Sequence, residues 1–137
     1  MLKANFITAQ EAAEKIQDGS TLCTIGMTLV SASESILKAI EKRFETVGHP
    51  ADITLVHSCG QSDRKDGIQH LAHEGLVKRI VGSHWGLQPR WMEMIANSQV
   101  EAYCLPQGQI AQLYRSMACG LPGKMSKVGL GLSLIRE

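Results

Sequence analysis

The chain has 137 residues, of which 44% are hydrophobic and 20% charged. These are the proportions of one globular domain, and they exclude a disordered or fibrous chain. Fourteen basic against thirteen acidic residues leave a net charge of +1, and aromatic residues are only 4%. Neither the basic footprint of a nucleic-acid or anionic-membrane binder nor a base-stacking platform is present. No apolar run approaches the roughly 20 residues that span a bilayer, and no signal-peptide stretch precedes Glu11. The sequence reads as soluble and cytoplasmic, with no nucleic-acid or membrane partner. Cys23, Cys59, Cys104 and Cys119 are widely spaced and form no C-x-x-C pair. They are expected as free thiols in a reducing compartment, with Cys23 and Cys104 buried in strands as small hydrophobes.

Taken in chain order, Thr8 and Glu11 form a T-x-x-E capping box for a helix that runs towards Asp18-Gly19, with Ala12, Ala13 and Ile16 as its apolar face. Thr21 to Ile25 is a short strand ending at Gly26. A second box, Ser31 to Glu34, opens a helix bearing Ile36, Ile40, Phe44 and Val47, which stops at Gly48-His49-Pro50. Ile53 to His57 is the next strand, and Ser58 to Gly67 a polar loop. A short helix is expected over Ile68 to Glu74, then a strand over Arg79 to Gly82. Pro89 opens a helix that buries Trp91, Met94 and Ile95. Val100 to Leu105 is a strand, Gln107 to Cys119 a helix, and Lys127 to Leu132 a fifth strand. This alternation predicts an α/β fold: a mostly parallel sheet with helices on both faces, in one domain over residues 1–137.

In such a sheet ligands bind at the carboxyl ends of the strands. The loops to consider are Gly26 to Ser33, Ser58 to Gly67, Gly82 to Pro89, and Pro106 to Gly108. Neither G-x-G-x-x-G nor G-x-x-x-x-G-K-[ST] occurs, which argues against the common nucleotide-phosphate cradles. His70 and His73, with His57, Cys59 and His84 near strand ends, lack the converging local pairs of a zinc site, and no metal is expected. There is no G-x-S-x-G nucleophile elbow. Trp85 and Trp91 read as core or lid residues.

Three segments occur in a telling order: Glu74-Gly75-Leu76-Val77-Lys78-Arg79, Gly82-Ser83-His84-Trp85-Gly86 and Leu105-Pro106-Gln107-Gly108, the last followed by an amphipathic helix and Gly120-Leu121-Pro122-Gly123. With the opening Ile7 to Ala13 and Ile16 to Leu22, the chain resembles the N-terminal half of family I coenzyme A transferases, of the acetate, propionate and 3-oxoacid type, from about Phe6 to Gly131. The resemblance implies covalent transfer of coenzyme A between an acyl-CoA and a short-chain carboxylic acid, as in short-chain fatty acid and ketone body metabolism. It implies no separate cofactor. In that family the nucleophilic glutamate lies in the second half, so no catalytic residue is expected in this chain, and Glu34 and Glu74 are not promoted to that role. Gln107 is expected to hydrogen-bond the substrate carboxylate or thioester oxygen, with Gly108 permitting close approach. Ser58, Cys59 and Gly60 are expected to frame the acyl pocket, and His84 and Trp85 to line it.

The chain departs from the family at Met27-Thr28-Leu29-Val30-Ser31, where the family has a glycine-rich turn, and at its last residues, Leu132 to Glu137. A truncated form or one half of a split enzyme is expected, inactive alone, with the missing half or a companion subunit as partner and a homo-oligomer as its assembly. The rival reading from the residues is a non-catalytic α/β binding or assembly module, in which Gln107 merely caps its own helix.

Overall fold

The structure, a computed structural model, describes residues 4–130. The first helix, α1 (Ala9–Glu14), starts with the expected box: the Thr8 hydroxyl accepts from the Glu11 N–H, and the Glu11 carboxylate accepts from the Thr8 N–H. It is shorter than its spacing to Gly19 implies. Lys15 closes it, and the Arg43 guanidinium donates to the Ala13 and Ile16 carbonyls at 2.7 and 2.8 Å. Gly19, at φ 70°, turns the chain into strand β1 (Thr21–Thr24).

Helix α2 (Glu34–Val47) buries Leu37 and Ile40 and ends at Gly48 in the left-handed region. The second capping box does not form. Ser33, not Ser31, is the N-cap, and it makes no side-chain cap bond. The Glu34 carboxylate instead accepts from the Gly67 N–H, 33 residues on, at 2.9 Å. Strand β2 (Ile53–His57) follows. Where an α-helix was expected over Ile68 to Glu74, a 3-10 turn spans Gly67–Leu71. The Ile68 carbonyl is taken by the Trp91 indole N–H at 2.9 Å, so it does not continue a helical ladder. Strand β3 (Val77–Gly82) starts two residues before the expected Arg79, and helix α3 (Pro89–Ala96) opens on its proline. Strand β4 (Glu101–Cys104) and helix α4 (Gln107–Ala118) complete the order.

The four strands form one parallel sheet in the order β1-β2-β3-β4. Right-handed crossovers in a monotonic order put α2, the 3-10 turn and α3 on the same face, and α1 packs on α2. The core lies there, around Leu37, Ile40, Leu55, Leu71, Ile80 and Trp91, all of them buried. Among the described residues, the second face carries α4 alone. Val56, which alternates to the face opposite Leu55, is buried but outside that core, and so is Ile110 of α4. Tyr114 of α4 donates its hydroxyl to the Thr24 carbonyl at 2.9 Å, across the carboxyl ends of β1 and β2.

Among the described residues the rest of the second face is bare, and Cys23 is exposed because nothing in the described chain covers its side of β1, which corrects the expectation of a buried thiol there. Cys104 lies on the core face, in register with Gly82, and is only half-buried at the opposite edge of the sheet. Arg79, Glu101 and Tyr103 are exposed on the second face, tied to one another by hydrogen bonds. Residues 127–130 contain a turn rather than the start of a fifth strand, and the remainder of that expected strand lies outside the described residues.

Candidate functional site

His57 is the last residue of β2 and is fully buried. Its Nδ1–H donates to the Cys59 carbonyl at 2.9 Å, and its Nε2 accepts from the Trp85 indole N–H at 3.0 Å. That pair of partners specifies the neutral tautomer. Burial pushes its pKa down to about 4, against weaker upward pulls from the Cys59 and Ser58 backbone. The ring leaves no room above it: a Cβ on Gly82 would lie 2.3 Å from His57 Nε2. Glycine at the end of β3 is therefore a consequence of histidine at the end of β2.

Around this ring the strand-end loops are stapled together. Cys59 takes a left-handed φ of 58°, and its N–H donates to Ser83 Oγ at 3.0 Å. The Thr28 N–H donates to the Gly60 carbonyl at 2.8 Å, which fixes the β1 loop to the β2 loop. The Leu105 N–H donates to the Gly82 carbonyl at 2.8 Å, which ties the β4 end to β3. Below them lie two buried carboxamides. Gln61 donates to the Thr24 and Ser58 carbonyls at 2.9 and 3.1 Å. Gln88, with its amide oriented to satisfy both ends, donates to the His84 and Trp85 carbonyls and accepts from the Gln61 N–H.

The structure thus brings Ser58, Cys59, Gly60, His84 and Trp85 into one cluster at the carboxyl ends of β2 and β3. Their surroundings differ. The half-buried Trp85 donates its indole N–H inward to His57, whereas His84 is exposed beside Gly60, where a Cβ would meet its ring at 3.1 Å. Gln107 and Gly108 stand at the next strand end along the same edge, as the first two residues of α4. Gln107 is exposed and does not cap its helix: Pro106 holds the N-cap position and no side-chain cap bond exists. No atom lies within 4 Å of a Cβ built on Gly108, so packing in this chain does not require glycine there. A cavity of about 200 Å³ opens beside this helix start, lined by Leu105, Pro106, Gln109, Leu113, Lys124 and Val128 among others. The side-chain oxygen of Gln109 is buried without a partner.

The supporting residues Gln61, Gln88 and Tyr114 are not legible as site residues in the sequence. Each acts through a partner more than 20 residues away, and no local spacing encodes that. His57 carried a faint signal: a histidine closing an apolar, β-branched run is an odd residue to bury. A groove between α1 and α2, about 350 Å³, lies away from the strand ends and is walled partly by Arg43, whose guanidinium is already committed to the Ala13 and Ile16 carbonyls.

The Coenzyme A transferase family profile matches residues 6–137. Among curated relatives, the caffeate CoA-transferase of Acetobacterium woodii is 38% identical over 129 residues, covering 93% of this chain and 25% of that protein. The acetate CoA-transferase YdiF of Escherichia coli K12 is 35% identical over 127 residues, covering 91% of this chain and 24% of that protein. The solved structure of the acyl-CoA transferase YdiF from E. coli O157:H7, in a thioester complex with CoA, superposes with a TM-score of 0.83 at 33% identity, covering 91% of this chain and 26% of that one. The chain spans about a quarter of the length of these relatives. With its parallel sheet, its stapled strand-end loops and a match from residue 6 onwards, this chain belongs to the coenzyme A transferase family.

Proposed function

We propose that this chain supplies the acyl and carboxylate side of a composite site that moves coenzyme A between an acyl-CoA and a short-chain carboxylic acid such as acetate, propionate or a 3-oxoacid. The observation that carries the reading is the Gln107 carboxamide, exposed at the strand-end edge and excused from helix capping. Its neighbours along that edge are Ser58, Cys59, Gly60 and His84. In this reading a glutamate on a companion segment attacks the acyl-CoA carbonyl and later carries coenzyme A as a glutamyl thioester. Gln107 donates to the oxygen that gains negative charge in these steps. The coenzyme A thioester is a substrate, and no other cofactor or metal enters.

Two glutamates of this chain that might be taken for the nucleophile are engaged elsewhere. Glu34 accepts from Gly67 and bonds Lys38 and His70, and Glu74 accepts from Gln99. The bare second face of the sheet supports a companion, because parallel sheets are ordinarily covered on both sides. A homo-oligomer and a cytoplasmic location belong to the same proposal. Among the described residues no helix is long and apolar enough to cross a membrane.

The test is a chimera in which this chain replaces the matched quarter of the E. coli YdiF protein, assayed for transfer from propionyl-CoA to acetate beside the chain alone. The chimera should transfer and the chain alone should not. Gln107→Ala should lower chimera turnover roughly a hundredfold or more. Efficient transfer by the chain alone, or a Gln107→Ala chimera with unchanged turnover, refutes the reading.

A further inference from the structure

We infer that His70 is a pH-operated clamp that holds the loop after β2 against α2, closed when the imidazole is protonated and released when it is not. His70 sits on the 3-10 turn with its side chain 13% exposed. Each ring nitrogen faces a carboxylate of α2: Nδ1 lies 2.5 Å from Glu41 Oε2, and Nε2 lies 2.8 Å from Glu34 Oε1. A neutral imidazole has one N–H and one lone pair, so it satisfies one of these carboxylates and sets a lone pair against the other. Only the imidazolium donates to both.

The surrounding charges make the same demand. Asp66, on His70's own segment, brings a third carboxylate to 3.3 Å from Nε2. From α2, Lys38 Nζ lies 3.1 Å from Glu34 and 3.3 Å from Asp66, and so serves two of the three. Glu41 is served by His73 Nε2 at 2.9 Å and, from α3, by Arg90 at 3.6 Å, while Glu45 of α2 adds another carboxylate near His73. Burial disfavours the His70 cation, but the hydrogen bonds and charges of Glu41 and Glu34 outweigh it and hold its pKa above the ordinary value. The grouping superficially resembles a metal centre. The Lys38 ammonium and the His70 proton already stand between these carboxylates, where an added cation would have to displace them.

The clamp grips the far end of the site loop. Glu34 uses its other oxygen to accept from the Gly67 N–H at 2.9 Å. The Ile68 N–H donates to the Gln61 carbonyl at 2.9 Å, and Gly67 is so close that a Cβ there would sit 2.1 Å from that oxygen. Gln61 in turn holds the Ser58 and Thr24 carbonyls. His70, two carboxylates, the 3-10 turn and the loop of Ser58, Cys59 and Gly60 therefore form one connected chain. Because the pKa in the closed state is raised, the clamp is fully present below the ordinary histidine value of about 6.5 and is lost as pH rises through the raised one. Between those two values the opening equilibrium grows about tenfold per pH unit.

The inference does not depend on the transferase reading, since it is measured on the chain alone. Amide hydrogen exchange, corrected for intrinsic base catalysis, would be followed by NMR from about pH 6 to about pH 9, with the histidine rings titrated in parallel. Protection of the Gly67 and Ile68 amides should fall about tenfold per pH unit between the ordinary histidine value and the raised one and level off above it, while Leu55 and Ile80 in the sheet keep theirs. His70→Gln should remove that pH dependence, and His73→Gln should retain it. The clamp is overturned if the His70 ring titrates at or below the ordinary value, or if Gly67 protection is flat between the ordinary histidine value and the midpoint of the ring's own titration. It is equally overturned if His73→Gln, rather than His70→Gln, abolishes the dependence.

Discussion

Replacing Gly82 with alanine tests whether the buried histidine sets the geometry of the strand ends. The backbone at Gly82 is not in the left-handed region, so alanine is conformationally allowed and the penalty is steric alone. The new methyl would stand 2.3 Å from His57 Nε2 and 2.7 Å from Cε1, well inside contact distance. The ring must move, and moving it breaks the bonds to Cys59 O and from Trp85 Nε1. Overpacking costs about 1–3 kcal/mol, and two buried hydrogen-bonding groups left without partners cost about 1–3 kcal/mol each. Partial relaxation brings the expected total to roughly 3–5 kcal/mol, a large share of a domain's stability. Urea denaturation of Gly82→Ala, His57→Ala and the double variant forms a cycle that isolates the contact. With the imidazole gone, the added methyl enters the space it leaves, so the double variant should be no less stable than His57→Ala. A Gly82→Ala penalty below about 1 kcal/mol, or costs that simply add in the double variant, would show that the ring does not enforce glycine there.

Three further outcomes are expected. His57, depressed to about 4 in the folded chain, contributes stability that is present above the unfolded value of about 6.5 and is lost as pH falls towards 4. Thermal denaturation across that range should show a loss of about 3 kcal/mol, which His57→Gln should flatten. The His70 clamp acts on the other side of about 6.5, so the two histidines place the stability maximum of this chain near that pH. Arg43→Ala should cost roughly 2 kcal/mol by urea denaturation, because it strips charge-assisted donors from the Ala13 carbonyl in the last turn of α1 and from the Ile16 carbonyl just beyond it. Gln107→Ala should leave the melting temperature of the chain unchanged, since its side chain caps nothing; a lowered melting point would return Gln107 to a structural role.

Local chemistry was legible wherever the cause of a structure lies within four residues of its effect. The Thr8–Glu11 box, the proline opening of α3 and the glycine stop of α2 all formed as their spacing predicts. So did the alternation of strands and helices that yields a parallel sheet. The ordered segments from Glu74 to Gly123 were enough to identify the family. Where the reading failed, a distant partner had intervened. Glu34 left its own helix start for Gly67, and Ile68 gave its carbonyl to Trp91 instead of to a helix. Cys23 looked buried because its strand is apolar, yet exposure depends on which face of the sheet a helix happens to cover.

The candidate site divides along the same line. Gln107, Gly108, Ser58, Cys59, Gly60 and His84 follow strand ends, and the sequence alone places them at the carboxyl edge of a parallel sheet, because strand order and connection handedness leave few alternatives. What holds that edge rigid was decided only by the tertiary structure. The Trp85 indole on His57 Nε2, the missing side chain at Gly82, the buried amides of Gln61 and Gln88 and the doubly bonded ring of His70 all depend on contacts across at least one strand or helix. A buried polar group has to be satisfied by whatever the fold brings beside it, and that neighbour is set by topology rather than by any spacing along the chain.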